Sequence, residues 1–161
     1  MTQEQLLERL RSRCSRAEYS TGQVAAYARR WLDKGDAAVA EESRDKVVEE
    51  IVARLVEERF VDDSRFAVAF VRDKLKFNGW GRQKIVYRLR SLGVDDAIIK
   101  RAIEEGMDLA DGVLEKLLKK KWDSLKRKKV GEYAMKGAAI RFAMGRGFDY
   151  EEIIKCLNNI V

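Results

Sequence analysis

Phe60-Val-Asp-Asp-Ser-Arg-Phe-Ala-Val-Ala-Phe-Val-Arg-Asp-Lys-Leu-Lys-Phe-Asn-Gly-Trp-Gly-Arg-Gln-Lys-Ile85 holds a helix start, an apolar helix, a glycine turn and the opening of a second, basic helix. Asp62 or Asp63 can accept hydrogen bonds from the first free amides of a helix. Val61 and Phe66 are spaced as a hydrophobic staple around a cap at Asp62. Phe66, Phe70 and Phe77 recur at spacings of four and seven, with Ala67 and Val71 beside them, which predicts one buried helix face. Asn78-Gly79 and Gly81 end that helix. A second helix is expected over Arg82–Leu92, with Ile85, Val86, Leu89 and Leu92 inward and Lys84, Arg88 and Ser91 on the other face. Gly93 stops it, and Asp95 or Asp96 starts a third helix whose buried stripe is Ile98, Ile99, Ala102 and Ile103.

Working outward, the same punctuation recurs. A shift of 54 residues lays Gly93-Val94-Asp95 on Gly147-Phe148-Asp149, and Ile99, Ala102 and Ile103 on Ile153, Cys156 and Leu157. Toward the N-terminus, Leu6, Leu7 and Leu10 begin one helix. Ser20 or Thr21 caps a second that carries Val24, Ala25, Ala28 and Leu32. Gly35 follows, and Ser43 precedes a third helix with Val47, Val48, Ile51, Val52 and Leu55. After residue 107, helices are expected from about Asp108 to Lys128, Gly131 to Arg146 and Asp149 to Asn159. This gives an all-α chain of three tandem three-helix units, residues 1–60, 61–106 and 107–161. Such units stack by burying each face against the next, as an elongated, curved modular rod. Trp80, between Gly79 and Gly81, reads as a core wedge rather than a nucleobase platform, as do Trp31 and Trp122.

Composition agrees. The 161 residues contain no proline and no histidine. Without proline, long helices meet no obligatory break. Without histidine, the usual Ser-His-Asp and Cys-His catalysts and histidine-containing zinc sites are excluded. Two cysteines, Cys14 and Cys156, cannot make a four-cysteine site and read as free thiols. No phosphate-binding glycine loop occurs, so no cofactor is expected and nothing marks an enzyme. Met1-Thr-Gln-Glu-Gln does not read as a secretory signal, and no apolar run is long enough to cross a membrane.

The net charge of +6 is uneven. Residues 1–60 carry eleven basic and twelve acidic side chains. Arg72, Lys74, Lys76, Arg82, Lys84, Arg88 and Arg90 accompany a single acid, Asp73. Lys116, Lys119, Lys120, Lys121, Lys126, Arg127, Lys128 and Lys129 accompany only Asp123. Two such clusters favour a polyanionic partner.

Arg13-Cys-Ser-Arg-Ala-Glu-Tyr-Ser20, Phe60–Ala67, Trp80-Gly-Arg-Gln-Lys-Ile85 and Leu89-Arg-Ser-Leu-Gly93 occur in an order and at distances that resemble the RecX family, small bacterial regulators of the RecA recombinase. The third unit matches only loosely. The resemblance implies three tandem three-helix units and a non-catalytic, monomeric, cytoplasmic protein. Such a protein binds RecA and its filament on single-stranded DNA, with duplex DNA as a further non-specific partner. It dampens ATP hydrolysis, strand exchange and filament extension in recombination and repair. The expected partner and DNA contacts are Arg72, Lys74, Lys76, Arg82, Lys84 and Arg88 in the middle unit, and Lys119, Lys120, Lys121, Lys126, Arg127, Lys128 and Lys129 in the last. The Asp62–Phe66 signature, with Glu18 and Tyr19, is expected to be structural, Arg65 pairing with a carboxylate. Two rivals stand beside this reading. One is a direct nucleic-acid-binding protein using Arg82–Leu92 as a recognition helix; the other is a magnesium-dependent nuclease built on carboxylates alone.

Overall fold

The computed structural model describes residues 2–34 and 39–161; Gly35 lies outside the described residues. Among these, the chain is all-α, with nine α-helices and no strand. They are α1 (Gln3–Arg16), α2 (Thr21–Asp33), α3 (Arg44–Glu57), α4 (Asp63–Asp73), α5 (Arg82–Ser91), α6 (Asp96–Gly106), α7 (Val113–Lys126), α8 (Glu132–Gly145) and α9 (Tyr150–Ile160). The chain divides into two compact units, Met1–Ala67 with Leu89–Ile99, and Val68–Arg88 with Lys100–Val161.

In the first unit, the helix starts are set by side chains that satisfy orphan amides. Thr2 and Gln5 form a reciprocal capping box on α1, and Ser20 and Gln23 form another on α2. The core between α1, α2 and α3 is built from Leu6, Leu7, Leu10, Val24, Ala28, Leu32, Ile51, Leu55 and Val61. Asp62 is the cap of α4: its Oδ1 accepts from the Arg65 amide at 3.1 Å, and Val61 and Phe66 are buried on either side of it. Asp63 instead serves α2, accepting from the Thr21 amide at 2.7 Å and the Thr21 hydroxyl at 2.6 Å.

In the second unit, α7, α8 and α9 enclose Leu118, Trp122, Leu125, Met135, Ala139, Ala143, Phe148, Ile153 and Leu157. Two sequence expectations fail here. The chain after Asp73 widens into a π-helical turn, Lys74–Asn78. A wider turn advances each residue by a smaller angle than an α-helix does. The stripe therefore ends on Val71 and Leu75, both buried, and Phe77 turns outward, 75% exposed, instead of joining Phe66 and Phe70. The second correction concerns the long helix expected from Asp108 to Lys128. It is a 3-10 turn, Met107–Ala110, then α7 beginning at Val113. Gly112, at φ +78, interrupts it in a conformation that favours glycine.

The 54-residue repeat is visible in the backbone. The Val94 amide donates to Leu89 O and the Phe148 amide to Ala143 O; Gly93 and Gly147 both have positive φ. Each of these turns receives a helix start. Ser20 Oγ donates to Leu92 O at 2.6 Å, and the Gly81 amide donates to Arg146 O at 2.6 Å. A Cβ on Gly22 would lie 2.3 Å from Leu92 O, and one on Gly81 would lie 2.5 Å from the Gly147 carbonyl carbon. Only glycine admits that approach.

Candidate nucleic-acid interface

The signature residues of the first unit bind one another. Arg65 Nε lies 2.8 Å from both oxygens of Glu18, so the stretch before α2 is tied to the start of α4. That hydrogen bond is the main cause holding the Arg65 guanidinium above its ordinary pKa. Arg11 holds Glu58 through two bonds of 2.7 and 2.6 Å and reaches Glu8 at 2.9 Å. The Arg11 hydrogen bond keeps Glu58 below the usual carboxylate range. Burial raises the thiols of both Cys14 and Cys156. The first unit thus spends much of its arginine on its own acids.

The second unit treats its cations differently. Lys74 and Lys84 lie over the half-buried Trp80 ring, 4.8 and 4.6 Å from its centre, and Phe70 meets that ring edge-on at 6.2 Å. Trp80 is therefore a platform for ammonium groups. Lys121 covers Phe142 at 5.1 Å, and Lys119 pairs with Glu115 at 2.9 Å. Arg72, Arg82 and Arg88 are exposed on α4 and α5. Lys126, Arg127, Lys128 and Lys129 are exposed at the end of α7, where Lys129 takes φ +53.

Of the expected contacts, Lys74 and Lys84 meet over Trp80, and Lys76 and Lys120 come together elsewhere in the unit. They line an open groove of about 560 Å³ with Lys116 and Arg146, beside Phe77 and against a single carboxylate, Asp111. Lys116 and Arg146 were absent from the residues expected to make contacts. Arg146 could have been found from its place between Gly145 and Gly147: its guanidinium donates to Asn78 O at 2.8 Å, which ties the π-helical turn to the end of α8. The groove therefore owes its shape to the π turn, the Gly112 break and the Gly147 turn together. Four cations around one acid can hold phosphates, and Phe77, 75% exposed with Lys76 5.4 Å from its ring centre, stands at the edge.

Comparison with known proteins agrees with the signatures. Residues 62–103 match the model described as RecX, second three-helix domain. Among curated relatives, "Regulatory protein RecX" of Bacillus subtilis strain 168 is 31% identical over 124 residues, 74% of this chain and 45% of that protein. The protein of the same name from Clostridium tetani is 28% identical over 118 residues, 73% of this chain and 54% of the relative. The chain belongs to the RecX family. It spans about half the length of the curated RecX relatives it matches. The crystal structure of RecX from Lactobacillus salivarius shares the fold, with a TM-score of 0.78 and 16% identity, covering 98% of this chain and 96% of that one.

Proposed function

We propose that this chain is a non-catalytic, monomeric, cytoplasmic regulator of a RecA-type recombinase. It binds RecA and RecA filaments on single-stranded DNA and slows ATP hydrolysis, strand exchange and filament extension. Its working parts are three-helix units of residues 1–60, 61–106 and 107–161. The observation that carries the reading is the groove lined by Lys76, Lys116, Lys120 and Arg146, with Phe77 exposed at its edge. There the two basic stretches of the sequence contribute to one surface, and the cations outnumber the acids. Family membership supports the recombinase as the partner, and the excess of cations in the groove supports contact with the strand it coats. Arg72, Arg82 and Lys126–Lys129 are further exposed cations of the same unit. Direct regulation through nucleic acid alone is the second reading. It is favoured by the exposure of Phe77 and of Tyr133, which is 92% exposed, as stacking surfaces.

The test is RecA-catalysed ATP hydrolysis on single-stranded DNA, titrated with the purified protein. A dose-dependent fall in rate supports the proposal. An unchanged rate, combined with tight binding to uncoated single strands, selects the second reading.

A further inference from the structure

A second set of cations lies in the first unit, outside the basic stretches of the sequence. Arg9, Arg13 and Arg16 sit on α1 at spacings of four and three, so they form one stripe stepping about 6 and 4.5 Å along the axis. With Ser12, Tyr19 and Tyr27 they line an open cleft of about 390 Å³ that contains no carboxylate. Arg30 on α2 lines an adjoining hollow of about 340 Å³ with Arg13, Tyr19 and Tyr27. Arg11, Arg29, Arg44, Arg54 and Arg65 each hold an acidic partner. Arg9, Arg13, Arg16 and Arg30 hold none among the described residues.

Three of these guanidiniums lie over rings instead, and the fourth, Arg16, bonds within its own turn. Arg13 lies 5.0 Å from the Tyr19 ring centre and 4.7 Å from that of Tyr27. Arg9 lies 4.8 Å from the Trp31 ring and Arg30 5.9 Å from Tyr27. Arg16 donates to Ser12 O at 3.3 Å and Ser12 Oγ at 3.2 Å, within its own turn. A guanidinium that lies over a ring and has no carboxylate partner keeps N–H donors for a two-oxygen acceptor. The rings are occupied by the arginines, so they offer little to a base.

We propose that this arginine–tyrosine cleft is a second binding site, for the phosphodiester backbone of a nucleic-acid strand. A strand carries its charges on its backbone, so a row of cations meets successive phosphates without ordering any flexible side chain. An acidic peptide would have to order each of its side chains. Contact is independent of base sequence. The site stands apart from the groove reading and does not depend on it.

The experiment measures binding of the full chain to a fluorescein-labelled oligothymidylate, and to a labelled duplex, as a function of salt. The variants are Arg9→Gln/Arg13→Gln/Arg16→Gln, Arg16→Gln alone, and Lys116→Gln/Lys120→Gln in the groove. The triple variant is expected to bind roughly tenfold or more weakly. Its slope of log affinity against log salt on the single strand should fall by about 2, at about 0.7 per phosphate lost. Loss on the single strand, the duplex or both supports the site and tells which form it takes. Should the triple variant fail to fold, Arg16→Gln carries the test, because among the described residues that side chain bonds to Ser12 within its own turn; its slope should fall by about 0.7. Unchanged slopes in the arginine variants, with binding lost in the groove variant, overturn this site and leave the groove standing. A polyglutamate peptide that binds in an arginine-dependent manner, with oligonucleotide slopes unchanged, also overturns it.

Discussion

Leaving aside Arg9, Arg13, Arg16 and Arg30, the two units carry most of their positive charge in different ways. In the first, Arg11, Arg54 and Glu58 form a network with Glu4 and Glu8, Arg29 holds Asp33 and Asp45, and Arg44 holds Asp33. In the second, Lys76, Lys116, Lys120 and Lys126–Lys129 have no carboxylate partner among the described residues, and three of them share one groove with Arg146. The difference teaches that a charge count along the chain measures supply, not availability. A paired arginine costs a ligand the ion pair it must break; an unpaired lysine costs only its hydration.

The sharpest way to break this comparison is to neutralise equal numbers on each side. Lys76→Gln/Lys116→Gln/Lys120→Gln should lower affinity for single-stranded DNA on the order of a hundredfold and flatten the salt slope by about 2. Arg11→Gln/Arg44→Gln/Arg54→Gln should leave the slope unchanged; fluorescence anisotropy across a salt series reads both. A flatter slope in the arginine variant would mean that pairing does not withhold charge.

Next in size are the two glycine junctions, one in each unit. Gly22→Ala and Gly81→Ala each force a methyl onto a backbone carbonyl, at an expected cost of about 1–3 kcal/mol in urea unfolding. If one is tolerated and the other is not, the two junctions are not equivalent despite their shared hydrogen bonding. Asp62→Ala removes the α4 cap and should cost about 1 kcal/mol. Glu18→Gln removes a pair whose members are 38% and 44% exposed, and should cost less than about 1 kcal/mol.

The smallest effect is the pH response of the Arg11 network. Glu58 is held below its unfolded pKa, so its contribution is present above the ordinary carboxylate value, near 4.3. It is lost as pH falls through the lower folded value. Acid unfolding of Glu58→Gln should therefore be less steep than that of the wild type at pH below about 4.3.

The sequence makes most of the helices legible because caps and stops are written in single residues. Ser20, Asp62, Gly93 and Gly147 act where the pattern places them. The carboxylate partner expected for Arg65 in the Asp62–Phe66 signature is Glu18. The π turn was not legible, because its signal is one residue inserted into an otherwise regular apolar stripe; Phe77 is the casualty. Gly112 was read through as a helical glycine, although its positive φ breaks the helix. The groove escaped for a different reason. Its cations come from Lys76, from Lys116 and Lys120 on the opening turns of α7, and from Arg146. Only folding brings together residues so far apart in the chain. The arginines of α1 were hidden by the acids around them, which bring the charge of residues 1–60 close to zero.

The proposed role of the available lysines of the second unit on a recombinase filament is tested most directly by the rate of RecA-catalysed ATP hydrolysis on single-stranded DNA, with wild type and with Lys76→Gln/Lys116→Gln/Lys120→Gln. The wild type should slow hydrolysis, and at least a tenfold higher concentration of the variant should be needed for the same effect. Equal potency of the two proteins would contradict that role.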